Sequence, residues 1–254
     1  MKLSIFLTGR LAGVMAGLMV LPVANAGAHT ADPALPVLRI IAPTNNAMPV
    51  AGFAADRLVG GIIKDLGELL ARRLGRSVQF KGLPSRRVSA ALAAGEGDAV
   101  CYALPQWLEG EFNWTRPLIP DASLVASNDL QAPALKGLLE LAGLPLGTVF
   151  GYRYPRVEQA LGTDFVRSEA ASMANNLRKL AAGRGRYALV EKTSLDYHLR
   201  QHPGDAIKVV WEIEQFAAAC AFSKRSPIPM AEVNKAVDAM LADHSVEQIL
   251  ARYR

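Results

Sequence analysis

The chain has 254 residues, 51% of them apolar and 7% aromatic, with 28 Lys and Arg against 23 Asp and Glu and only two cysteines. This excludes an intrinsically disordered chain, because half the residues can fill a core and the charge imbalance is small. It also excludes a disulfide-stapled mini-protein and a cysteine-based zinc site, and the length suits two lobes better than one core, since single cores rarely grow beyond about 250 to 300 residues.

The first 26 residues read as an export signal. Lys2 and Arg10 give a positive start, Leu11 to Val23 an apolar run, and Ala24-Asn25-Ala26 a site for signal peptidase. The apolar run is shorter than the roughly 20 residues that cross a bilayer, so the expectation is cleavage after Ala26 and release into the periplasm. No cysteine stands at the cut site to take a lipid anchor there. Without Lys2 and Arg10 the net charge falls from +5 to +3, which points to neither nucleic acid nor an anionic membrane as partner.

After an Ala/Pro-rich start, Val37 to Ala42 reads as a buried strand. From Leu58 the apolar positions Val59, Ile62, Ile63, Leu66, Leu69, Leu70 and Leu74 recur at helical spacing, and Gly75 ends the run. Ser77 to Lys81 is a strand, Ser85 to Ala94 a helix capped by Ser85, and Asp98 to Tyr102 a third strand. The scheme then repeats: strand Leu146 to Phe150, helix Tyr154 to Leu161, strand Phe165 to Arg167, helix Ala170 to Ala182, strand Tyr187 to Val190, helix Thr193 to Gln201 and strand Ile207 to Trp211. Phe216 to Phe222 is a further strand, and Pro229 to Ala242 and Ser245 to Tyr253 are closing helices. Alternation at this pace means parallel strands joined by helical crossovers, an α/β chain with a βαβαβ unit in each half. His198 and His202 stand one helical turn apart, but no third ligand accompanies them and Pro203 ends the helix, so no metal is expected.

Four phrases together resemble a known family. Leu38-Arg39-Ile40-Ile41 followed by Leu58-Val59-Gly60-Gly61-Ile62-Ile63-Lys64-Asp65-Leu66 is similar to the opening of type 2 periplasmic solute-binding proteins of the family that includes the amino-acid receptors of ABC importers. The stretch Ser89 to Ala99 resembles its helix-to-strand signature "aL..GeiDa". Leu146 to Gly151 is similar to its "vGv..G" turn, and Leu180 to Leu189 to its "L..GrvDa" phrase. The likeness spans Val37 to Arg254. It implies two Rossmann-like lobes joined by a two-strand hinge, a venus-flytrap arrangement with the ligand in the cleft and no cofactor. Lobe 1 would hold residues 27–125 and 213–254, and lobe 2 residues 126–212.

In open parallel sheets the ligand crevice lies beyond the carboxyl ends of the strands, and this selects the candidate site. Asn45, Asn46, Met48 and Phe53 follow the first strand. Arg86 and Arg87 open a helix, where one can meet an anion bidentately. Tyr102, Gln106 and Trp107 offer flat apolar surface with polar edges. Gly151, Tyr152, Arg153 and Tyr154 precede Pro155 at a helix start, whose free N–H groups would favour an anionic or oxygen-rich group. Each of these loops could equally serve packing or surface roles.

The resemblance has two departures. The amino-acid receptors carry a "T.eR" segment whose Arg grips the ligand α-carboxylate, and the stretch Ala103 to Glu109 here has no Arg. Their ammonium-binding Asp falls at Glu191, so a standard α-amino acid is not the expected ligand. The resemblance also makes the strands of Cys101 and Cys220 neighbours, which in an oxidising periplasm favours a disulfide. The leading expectation is a monomeric, non-enzymatic binding protein that delivers a small polar or anionic solute to an inner-membrane ABC permease or a sensor. The alternatives are a dehydratase-like or lyase-like enzyme with Glu191 as acid or base, and a ligand-independent accessory protein.

Overall fold

The computed structural model describes residues 35–254. The expected export signal and its cleavage site lie outside the described residues.

β1 (Val37–Pro43) is followed by a short hairpin, β2 (Gly52–Ala54) and β3 (Arg57–Gly60), and then by α1 (Ile62–Arg73). The helix expected from Leu58 therefore starts later. Leu58 and Val59 belong to the hairpin, and the turn at Gly61, with φ 102°, separates the two elements. A Cβ at Gly61 would lie 2.8 Å from Ala51 Cα, so only glycine lets the chain double back here. From Ile62 the expected face is realised, with Ile62, Ile63, Leu66 and Leu70 buried against the sheet.

β4 (Ser77–Leu83), α2 (Ser85–Ala94) and β5 (Ala99–Ala103) complete the first βαβ pattern, with β1 parallel to both β4 and β5. Ser85 does not cap α2 as expected. Pro84 is the cap position, Ser85 is the first helical residue, and its hydroxyl is buried without a partner. At the other end of α2, Asp98 is 1% exposed and receives both the amide and the guanidinium of Arg39 and the hydroxyl of Ser226. The Asp98 of the "aL..GeiDa" phrase is thus a tie between strand ends.

β6 (Asn113–Trp114) and β7 (Ile119–Ser127) follow. Sequence periodicity does not reveal β7, because Pro120 and Asp121 interrupt its apolar run. The second parallel set is β8 (Pro145–Val149), α3 (Pro155–Leu161), β9 (Val166–Ala170), α4 (Met173–Ala181), β10 (Tyr187–Glu191) and α5 (Lys192–Gln201). β9 extends to Ala170, so α4 starts three residues later than expected, with Ser172 accepting from Asn175 N at its start. On α5, His198 is buried and pairs with Asp205 at 2.7 Å.

β11 (Lys208–Phe222) is one strand of 15 residues where two were expected. It pairs antiparallel with β7 from Lys208 opposite Ser127 to Ala218 opposite Ile119, then with β5 and β6. Continuous pairing with β7 carries it across the polar stretch Glu212 to Gln215, where register shifts absorb the irregularity. α6 (Met230–Ala242) and α7 (Ser245–Ala251) return to pack on α1.

The strand order is β4-β1-β5-β11-β7-β10-β8-β9, with β6 on β11. Ile40, Ile63, Leu66, Phe222, Val233 and Val237 form a core around the first set of strands. Around the second set, Leu124, Val149, Leu177 and Val190 pack on one face, and Val125, Leu141, Leu146 and Leu189 on the other. β7 and β11 join the two halves.

Candidate functional site

The carboxyl ends of β1, β4 and β5 face those of β8 and β10, and the loops between them enclose a cavity of about 80 Å³. Tyr102, Trp107, Gly151, Tyr152, Arg153 and Glu191 line it, together with Asn46, Ser85 and Val88. Five of these line a wider cavity of about 650 Å³ toward solvent, where Arg86, Phe150 and Glu109 also stand. Of the residues expected at the site, the structure thus brings eight, Asn46 and Arg86 among them, to two adjoining cavities.

The remaining six stand elsewhere, Arg87 among them on the exposed side of α2. Phe53 packs on the first core, and Met48 lies beneath Gly52. Gln106 points outward from the turn at 105–107. Tyr154 sits in the second core, where its hydroxyl accepts from Val149 N at 2.9 Å. Asn45 is a cross-brace: its Oδ1 accepts from Ser85 N at 2.8 Å, and its Nδ2 donates to Ala171 O at 2.8 Å. Asn46 Oδ1 accepts from the Tyr152 hydroxyl, so the loop after β1 is pinned across the cleft. The helix start at Pro155 is less open than expected. Tyr154 N donates to Glu158 Oε1 at 3.0 Å, so that donor is spent within the loop.

Tyr102 owes its direction to a bulge. Cys101 pairs with Cys220 and Ala103 with Ala219, leaving Tyr102 as the extra residue with φ 60°. A bulky residue in the left-handed region is uncommon and concentrates at functional sites. The bulge sends the ring into the cavity, against Trp107 at 6.3 Å and Phe216 at 6.5 Å between centroids. Beside it, Cys101 and Cys220 form a disulfide with Cα atoms 4.0 Å apart.

Asp121, on β7, was not foreseen. Its Oδ2 accepts from Tyr102 Oη at 2.5 Å, and its Oδ1 from Thr193 N at 3.0 Å and Ala122 N at 2.8 Å. The available signal was a lone carboxylate inside the apolar run Leu118 to Val125. Ser85 was likewise read only as a cap.

Glu191 ends β10 and is 8% exposed. Burial, reinforced by the Asp121 charge, pushes its carboxyl up to about 8. No basic side chain pairs with it among the described residues. Burial likewise pushes the Tyr102 and Tyr152 phenols well above their usual value, with Asp121 adding to the rise at Tyr102 and Glu191 to that at Tyr152. The inner cavity therefore joins neutral phenols and an indole to a buried acid, with Arg153 in the wall paired to Glu109, and the Glu191 end favours a cationic group. No group of three or more His, Cys, Asp or Glu placed to hold a metal is found among the described residues.

The model of the Bacterial extracellular solute-binding proteins, family 3, matches residues 40–254. No curated protein matches the sequence. An ancestral arginine-binding protein bound to arginine is similar, with 19% identity and a TM-score of 0.72 over 85% of this chain and 97% of that one. An ancestral amino acid-binding protein described as a precursor of cyclohexadienyl dehydratase has 17% identity and a TM-score of 0.71, covering 85% and 95%. An amino acid ABC transporter substrate-binding protein from Streptococcus pneumoniae, bound to L-arginine, has 13% identity and a TM-score of 0.70, covering 85% and 94%. At these identities the likeness shows the fold, that of the two-lobed type 2 periplasmic binding proteins.

Proposed function

This chain belongs to the bacterial extracellular solute-binding proteins of family 3, and we propose that the solute it captures bears a cationic amine or amidine. One observation carries the reading: Glu191 is buried in the cavity wall with no basic partner among the described residues, between tyrosines that stay neutral. A buried carboxyl is costly to ionise alone, and a bound cation offsets that cost. The lobes on this reading are residues 27–125 with 213–254, and residues 126–212, closing by bending where β7 and β11 cross. The exported monomer then presents the solute to an inner-membrane permease or to a sensor, as an importer component in the periplasm.

Calorimetric titration with alkylammonium, guanidinium and polyamine probes tests this, beside neutral and anionic solutes of the same size. Binding confined to cations and lost in Glu191→Gln supports the reading. Preference for neutral or anionic solutes overturns it.

A second reading follows from the similarity to a dehydratase precursor and from a carboxyl held near 8, which suits a general acid. The same variant separates the two. An enzyme would keep its affinity in Glu191→Gln and lose turnover, whereas a receptor loses affinity.

A further inference from the structure

Three consecutive residues of the loop after β1 engage the second set of strands and helices. Asn45 O accepts from Met173 N at 3.2 Å, and Asn45 Nδ2 donates to Ala171 O at 2.8 Å. Asn46 Oδ1 accepts from the Tyr152 hydroxyl, and Ala47 packs on the core of Leu124, Leu177 and Val190. Met173 is the first residue of α4, so its amide has no acceptor within the helix, and this loop supplies one from the other half of the molecule.

The Asn45 side chain reaches across because its other end is held. Its Oδ1 accepts from Ser85 N, the first amide of α2, at 2.8 Å, and α2 packs with β1 in the first half. That bond fixes the amide: turned over, it would set Nδ2 against the Ser85 N–H, donor against donor, so Nδ2 stays aimed at Ala171. Asn45 thus serves the first amide of two helices, one in each half. Asn45, Ala171 and Met173 line neither the inner nor the outer cavity.

We propose that Asn45 is a positioning residue that latches the cleft from outside the cavity, so that the chain's own groups hold the closed form and closure does not wait for a solute. Bending at β7 and β11 keeps the bond to Ser85 and breaks those to Ala171 and Met173. A contact made in one of two states shifts the balance between them, and a neutral hydrogen bond is worth about two- to tenfold. The latch rests on the reading of the two halves as hinged lobes and is independent of the charge of the solute.

The test is residue-resolved amide hydrogen exchange on the protein after unfolding and refolding with its disulfide intact, which strips any carried-over solute. In the wild type Met173 should be protected at least tenfold over its unfolded rate. Asn45→Asp keeps an acceptor for Ser85 N and loses the donor to Ala171 O, whereas Asn45→Ala loses both. In both variants Met173 should exchange at least threefold faster than in the wild type, with Leu177 in the body of α4 unchanged as the check on folding, and small-angle scattering should give a larger radius of gyration. Exchange of Met173 at the unfolded rate in the wild type would overturn the latch. So would wild-type exchange in Asn45→Asp, which would leave Asn45 a support of α2 alone. Faster exchange with an unchanged radius of gyration in both variants would mean that the loop lifts without the halves parting, and overturns it too. The cation reading of Glu191 stands or falls separately, on the calorimetric titration.

Discussion

Tyr102 of β5 and Asp121 of β7 meet at the cavity, where the phenol donates to the carboxylate at 2.5 Å. The other carboxylate oxygen accepts Thr193 N, two residues beyond Glu191. A bulged residue of β5 is in this way tied through β7 to the start of α5. Tyr102→Phe keeps the ring and deletes the bond, leaving Asp121 one donor short. We expect a loss of about 2 kcal/mol in unfolding free energy, the range for a hydrogen bond to a charged group, measured by denaturant titration. A loss under about 0.5 kcal/mol would mean that the bond contributes nothing net.

The pH dependence of cation binding follows from Glu191. Its carboxyl is raised to about 8 by burial and by Asp121, with Tyr102, Tyr152 and Tyr154 as the other titratable groups around it. Below that value the site has to release a proton to take a cation, so affinity for a permanent cation should rise with pH up to about tenfold per unit and level off above 8. Without solute the sign is the reverse for stability. The folded chain holds a proton that the unfolded chain has released, so stability falls between the ordinary carboxyl range and 8, by at most ~1.4 kcal/mol per unit. Glu191→Gln should flatten both profiles, and Asp121→Asn should shift both toward lower pH by removing the neighbouring charge. Profiles that match the wild type in Glu191→Gln would assign the titration to another group.

The Cys101–Cys220 disulfide closes a sequence separation of 119 residues between two paired strands. Restriction of so long a loop in the unfolded chain is worth roughly 2–4 kcal/mol. The double variant Cys101→Ser with Cys220→Ser should melt on the order of 10 °C lower, at about 2–4 °C per kcal/mol for a chain of this size. It should still bind solute, because the sulfur atoms lie in the core beneath Tyr102 and do not line the cavity. Loss of binding at a temperature where the variant remains folded would show that the disulfide holds the Tyr102 bulge in place.

Much of this was legible in the sequence for a simple physical reason. Helices such as α1 and strands such as β1, β5 and β10 bury regular apolar patterns, and the ends of parallel strands are where side chains can face a crevice, so Tyr102 and Gly151 could be placed from chain order, and Glu191 from the family resemblance. Features that arise only from pairing were not legible. β11 reads as two strands until β7 pairs along its whole length, and β7 itself hides behind Pro120 and Asp121. The bulge that turns Tyr102 inward depends on the register of Cys220 and Ala219. Phe53 follows β1 as expected, but the hairpin β2–β3 folds it back onto the first core.

Asp98 shows how a family phrase can be structural. Burial alone would raise its carboxyl, yet the side chain and amide of Arg39 and the hydroxyl of Ser226 hold it below the usual carboxylate value. Because the folded carboxyl is depressed, its contribution is present above the ordinary carboxyl range and is lost as pH falls through the folded value. Asp98→Asn should cost about 2 kcal/mol. This lies below the 3–5 kcal/mol for breaking a fully buried pair, since the Arg39 side chain is 40% exposed and partly screened. The variant should also lose part of the acid-side fall in stability, which urea unfolding between pH 3 and pH 6 would detect. Solute affinity should stay within a factor of two, because Asp98 lies at the far end of β5 from Tyr102. Equal losses of stability at all pH values would mean that shape at Asp98 matters and its charge does not.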